Sequence, residues 1–376
     1  MGRERTRAKV LLGNAVAIGI GIVLSLLLTE LILRLHNPFE TRLRGDRIVL
    51  PVARQYRFQN PDVQGLDSVI VHTKNSIGFR GPDPPASGFD GDFVVFVVGG
   101  STTECMYLSD GKDWPTLLGD SLRTVIDSLW INNAGLDGHS TFGHRILLQD
   151  VILPYHPDMI VFLLGVNDVG RSDLHAQMAA HLKAGMRFDS LEGLIKSLAA
   201  YSETASLTLN LYRYLRAAAR GLPHKRVDLQ GMPHAIPSAA AIDSAVSVHQ
   251  RLYIAAYRER IATLVDMCRS AGVTPLLLTQ PMLLGSGRDP VTGIDLETVV
   301  VAGQTGRERW LVLEAYNDVV REFQNDAGVV VVDLARSMDK SSAYYYDILH
   351  FTERGAAEVA RIVFAGIVRE GRPRLQ

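Results

Sequence analysis

Residues 93–104 read FVVFVVGGSTTE. Six β-branched and aromatic residues end in two glycines and a serine, the pattern of a strand buried on both faces, a sharp turn and a helix start. Four further runs share this character: LWINN (129–133), MIVFLL (159–164), TPLLLT (274–279) and VVVVD (329–333). Longer stretches with helical spacing separate them. Apolar strands alternating with helices predict an α/β fold, a doubly wound parallel sheet of five strands with helices on both faces. In such a sheet the ligand crevice lies beyond the carboxyl ends of the strands, so chemistry is expected in the residues that follow each strand.

Four pieces stand at those positions. After the first strand, Gly99 and Gly100 let the backbone turn and present Ser101 at the sheet edge. Ser101-Thr102-Thr103-Glu104 is also a capping-box pattern, so a helix cap is the plainer alternative. The second strand ends in Asn132-Asn133-Ala134-Gly135, where a glycine can bring its N–H to a carbonyl oxygen. The third ends in Gly165-Val166-Asn167-Asp168, which puts a neutral side-chain amide donor at the crevice, although Asn-Asp is also ordinary turn chemistry. After the fifth come Asp347-Ile348-Leu349-His350. A serine hydroxyl needs a base, an imidazole can serve at neutral pH, and a carboxylate three residues earlier can hold the ring.

Each piece is ordinary alone, but the four occur in one order after strands of one sheet. Together they resemble the SGNH (GDSL-like) hydrolases, whose four blocks supply serine, glycine, asparagine and histidine. The resemblance runs from Phe93 to the carboxyl terminus. It places Ser101, Gly135, Asn167 and His350 on the block residues and Asp347 on the triad acid. It implies a flavodoxin-like sheet and a serine esterase with Ser101 as nucleophile, His350 as base and an oxyanion hole of Ser101, Gly135 and Asn167. No metal or organic cofactor is implied. The first block departs from the family's frequent Gly-Asp-Ser, since Gly99 stands where the aspartate would be. That weakens clues to substrate rather than to catalysis. The upstream NSIGFRG (75–81) is similar to segments that precede this domain in membrane-attached bacterial members.

At the amino terminus, Val10 to Leu33 form a nearly unbroken apolar run, long enough to cross a bilayer as a helix. No A-x-A pattern follows it, so it reads as a membrane anchor rather than a cleaved signal. Arg3, Arg5, Arg7 and Lys9 before the run nearly balance Arg34, Arg42, Arg44 and Arg47 after it. The expected orientation, amino terminus inside and the large domain outside, follows the habit of single amino-terminal anchors. The chain thus divides into an anchor (1–35), a stalk, pre-domain and Pro/Gly-rich linker (36–92), and a catalytic domain (93–376) with a helical insertion at about 171–245.

A net charge of −1 with scattered basic residues argues against nucleic acid as a partner. Cys105 and Cys268 are too few and too far apart for a disulfide framework. In Gly138-His139-Ser140-Thr141-Phe142-Gly143, Phe142 stands where a nucleophile elbow needs glycine. His139 and His144 lack zinc spacing and read as packing residues. The expected substrate is a short acyl or O-acetyl ester, on envelope or exported polysaccharide; the insertion or the loop 282–304 would wall the site. Two rivals remain at this stage: an O-acyltransferase using the same residues with a glycan acceptor, and a non-catalytic glycan-binding or assembly protein on the same fold.

Overall fold

The computed structural model describes residues 2–35, 43–44, 47–60, 63, 65–171, 202–208, 211 and 226–371. Five strands form the central sheet: β1 (Phe93–Gly99), β2 (Leu129–Gly135), β3 (Met159–Leu164), β4 (Thr274–Thr279) and β5 (Val330–Val332). Their spatial order is β2-β1-β3-β4-β5, with every neighbouring pair parallel. This is the flavodoxin-like order, and its switch point falls between β1 and β3.

Both faces are covered. Val95, Val97, Val161, Leu163, Leu276 and Leu278, at alternate positions of β1, β3 and β4, join one core with Trp114 and Leu118 of the helix Trp114–Leu122. Val359 and Val363 of the carboxyl-terminal helix Glu353–Gly371 complete that face. The intervening Phe96, Phe162 and Leu277 are as deeply buried. Each such side chain contributes roughly 1.5–3 kcal/mol, so the sheet is a firm platform for the loops at its carboxyl edge.

The sheet unit begins earlier than the boundary expected at residue 93. From residue 50 onwards the described chain, apart from 202–208 and 211, forms one compact unit. An antiparallel hairpin, Arg54–Gln59 with Val69–Lys74, opens it. Arg80, the arginine of NSIGFRG, then pairs with Asn133 of β2 through two backbone hydrogen bonds. Its guanidinium, 1% exposed, donates to the carbonyls of Glu104, Cys105 and Leu108, each at 2.8 Å. What composition marks as pre-domain and linker is therefore structural from residue 50 on, because a buried guanidinium needs acceptors that only the chain beyond Ser101 provides.

The second unit contains the helix Gly2–Leu35 and residues 202–208. Within the helix, Gly13–Leu35 has a mean hydropathy of 2.5 and is the one stretch among the described residues long and apolar enough to cross a membrane. Its length and place suit a membrane span or a signal sequence. Glu30 on this helix accepts from Ser202 Oγ at 2.8 Å and from the Glu203 and Thr204 amides at 3.1 Å. The carboxylate thereby caps the helical residues 203–208. Most of the insertion expected at 171–245 lies outside the described residues. Its distal part is a helix, Ala239–His249, in the sheet unit.

Candidate active site

β1 runs into Gly100, which caps a four-residue helix, Ser101–Glu104, with no side-chain cap. Ser101 is the first helical residue and not the cap. Its amide therefore lacks an intrahelical acceptor, and its hydroxyl lies 2.7 Å from His350 Nε2. On the other side of the ring, His350 Nδ1 lies 2.6 Å from Asp347 Oδ2. Asp347 Oδ1 accepts from the amides of Leu349 and His350 at 2.8 and 2.7 Å. A carboxylate so held accepts a hydrogen bond from Nδ1–H, which leaves Nε2 as the acceptor for the Ser101 hydroxyl. Ser101, Asp347 and His350 are all buried. The Tyr346 ring stacks on the imidazole at 5.6 Å, with 15° between planes.

Asn167 sits in a single turn, Val166–Asp168, just after β3. A β-carbon added at Gly100 would stand 2.2 Å from Asn167 Nδ2, so this amide lies against the residue that precedes Ser101. Among the described residues it has no hydrogen-bond partner. The turn is pinned by Asp168, whose buried carboxylate accepts from Thr141 N at 3.2 Å and Thr141 Oγ at 2.5 Å, with Arg260 Nη2 at 3.5 Å. Burial raises the Asp168 pKa against the pull of Thr141 and Arg260. Sequence reading passes over Asp168, because its partners come from distant helices.

Gly135 does not sit as expected. Its N–H donates to Asn133 Oδ1 at 2.9 Å. A β-carbon there would come within 2.3 Å of Glu104 N, so the residue is a glycine because β2 and the Ser101 helix press together. An amide already committed to a side chain cannot also serve an oxyanion. In the turn that follows, Leu136 N donates to Gly99 O, Asp137 N to Glu104 Oε2 and His139 N to Leu136 O. Gly138, exposed and at φ +70°, is the one residue of 135–139 whose amide has no acceptor among the described residues. The signal for it lay three positions beyond the glycine that the sequence singles out.

The Ser101 helix is held from outside the sheet. Glu104, fully buried, meets Lys74 Nζ at 3.0 Å and accepts from Asp137 N at 2.6 Å. The Cys105 thiol donates to Thr102 O at 3.3 Å, and burial pushes its pKa up, which makes it a packing residue rather than a second nucleophile. His139 and His144 are also buried, with ring centroids 6.3 Å apart.

The model of the GDSL-like lipase/acylhydrolase family matches residues 97–358, more than half of the chain. The chain belongs to that family. This GDSL-like acylhydrolase is accordingly an ester-hydrolysing serine hydrolase. By sequence, no curated protein matches it. Among solved structures it is similar to an acetylxylan esterase from Geobacillus stearothermophilus, at 14% identity and a TM-score of 0.42 over 74% of this chain and 95% of that one. It is also similar to an alpha/beta hydrolase enzyme from the metagenome of Lake Arreo, at 16% identity and a TM-score of 0.41 over 73% and 94%. A lipolytic protein of the G-D-S-L family from Desulfitobacterium hafniense gives 11% identity and a TM-score of 0.40 over 73% and 99%.

Proposed function

We propose that this acylhydrolase works by a two-step acyl-enzyme mechanism in which Ser101 is the nucleophile, His350 its base and Asp347 the group that sets the ring. The observation that carries it is the continuous hydrogen-bonded line from Ser101 Oγ through both nitrogens of His350 to Asp347. In the first step Ser101 Oγ attacks the ester carbonyl while Nε2 takes its proton, and the imidazolium returns that proton to the departing alkoxide. Water, deprotonated by the same nitrogen, then attacks the acyl-serine and releases the acid.

The oxyanion is held by the Ser101 amide, Asn167 Nδ2 and the Gly138 amide, which replaces Gly135 in this role. Gly138 is assigned because its N–H is uncommitted while its neighbours' amides are spent on protein acceptors. A neutral amide and two backbone donors need no change of protonation as charge develops.

The substrate is a short acyl ester, such as an O-acetyl group on envelope or exported polysaccharide. The helix Gly13–Leu35 serves as a single membrane anchor, with its amino terminus in the cytoplasm and the sheet unit outside. Fluorophosphonate labelling of the full chain in detergent tests the assignment. Mass spectrometry should find the adduct on Ser101, and Ser101→Ala and His350→Ala should each abolish it. A folded chain that stays unlabelled overturns the mechanism.

A further inference from the structure

An open groove of about 720 Å³ lies beyond the loop that carries His350, and neither Ser101 nor His350 lines it. Cationic side chains dominate its polar lining: Arg288, Arg336, Lys340 and Arg354 face a single acid, Asp339. Two of the four are already engaged. Arg336 lies 3.3 Å from Glu314 and 3.5 Å from Asp318, and Lys340 donates to the carbonyls of Met282 and Leu284 with its Nζ over the Trp310 ring.

Arg288 and Arg354 differ. Both are exposed, and neither has a carboxylate within 4 Å among the described residues. Arg288 gives one bond to the Gly293 carbonyl at 3.1 Å, which steadies the guanidinium without neutralising it. Arg354 lies over the Tyr344 ring at 5.3 Å, and its charge also reaches Glu358, whose closer partner is Arg361. Two exposed guanidinium groups in one concave surface, neither held in an ion pair within 4 Å among the described residues, suit bidentate contact with carboxylate or phosphate.

The groove shares a wall with the active site. Ala343 and Tyr344, which line it, accept from Thr352 Oγ and Thr352 N at 2.7 and 3.0 Å, two residues after His350. Tyr346 N in turn donates to His350 O at 3.0 Å. One face of the loop 341–352 thus presents His350 to Ser101, and its flank lines the groove. A molecule with charges at intervals along a chain could occupy both.

We propose that this groove binds an acidic glycan, its carboxylate or phosphate groups held by Arg288 and Arg354, and that the glycan is the polymer whose ester reaches Ser101. The second half of this statement rests on the esterase reading; the binding site does not. The test is the affinity of the full chain in detergent for three oligosaccharides without esters: an oligogalacturonate, a phosphate-bearing oligosaccharide and a neutral xylo-oligosaccharide. The anionic ligands should bind at least about tenfold more tightly than the neutral one, with affinity falling as salt rises. The tighter of the two names the anion. Arg288→Ala with Arg354→Ala should remove that preference while leaving the melting temperature within a few degrees. Equal binding of neutral and anionic ligands overturns the proposal, as does undiminished affinity in the double variant. Turnover of a small aryl acetate by the unaltered protein tests the esterase reading separately: if it fails while the anion preference persists and depends on the two arginines, the site stands and the mechanism falls.

Discussion

His350 Nε2 stands 2.7 Å from Ser101 Oγ across 249 positions of sequence, whereas the carboxylate that sets the ring is only three residues away. The serine–imidazole pair is thus assembled by the sheet and the acid–imidazole pair by one local turn. The two links can be broken separately.

Asp347→Asn should leave the fold intact, because Oδ1 can still accept the two backbone amides, but it presents a donor where Nδ1–H needs an acceptor. The ring is then held in the wrong tautomer, and kcat on an aryl acetate should fall about 10⁴-fold. A fall of less than tenfold would show that another group orients His350.

Asn167→Ala removes one of the proposed oxyanion donors from a turn that Asp168 and Thr141 hold independently. We expect kcat to drop on the order of a hundredfold or more, with KM little altered and an unchanged melting profile. Equal turnover by the variant would remove Asn167 from the mechanism.

Gly135→Ala and Gly138→Ala should behave in opposite ways. At Gly135 the new methyl meets backbone at 2.3 Å, and forcing β2 from the Ser101 helix should cost at least about 1–3 kcal/mol, with loss of activity. At Gly138 no atom lies within 4 Å, so the penalty is the positive φ alone, about 1–2 kcal/mol, and the amide is kept. Thermal unfolding beside turnover separates the two; a well-folded, inactive Gly135→Ala would restore that residue to the oxyanion hole.

His144 gives the protein an acid-labile element. Burial, then the charges of His139 and Arg171, hold its pKa well below the ordinary value. Below about pH 6.5 the unfolded chain therefore binds a proton that the native state refuses, so stability is lost as pH falls from there toward the native pKa, by about 1.4 kcal/mol per unit. His144→Leu should flatten the decline in melting temperature between pH 7 and 5. An unchanged slope would assign that loss to other groups.

Arg80→Ala strips donors from the Glu104, Cys105 and Leu108 carbonyls at once. Buried groups left unpaired cost about 1–3 kcal/mol each, so denaturant unfolding should show a loss of several kcal/mol. A loss below about 1 kcal/mol would mean that water replaces the guanidinium.

The strands were legible because their composition is dictated by burial on both faces. The third and fourth runs match β3 and β4 end to end, and the second extends by two residues into Ala134 and Gly135. Ser101 and Asn167 stand directly after β1 and β3, where sequence places them, and the structure brings Asp347 and His350 to Ser101 from the loop that follows the helix after β5. Gly135 misled because sequence shows a glycine but not which neighbour its amide serves; Asn133, two residues earlier, takes it. The buried role of Arg80 and the Lys74–Glu104 pair were invisible for a related reason. They join segments that only the folded chain brings together, and the Pro/Gly-rich stretch between residues 81 and 92 looks like a place where a domain begins.

That last point governs where the chain can be cut without disabling the sheet unit. The turns at 81–92 are the obvious target for a protease, yet a cut there would leave the Lys74 side of the Glu104 pair and the Arg80 clasp on a fragment joined to the body by non-covalent contacts alone. If that fragment departed, a fully buried carboxylate would lose its counter-ion one turn from Ser101. A shortened chain that still turns over ester must therefore be cut before residue 50, where the sheet unit begins, and trimming nearer the sheet would act as an off-switch.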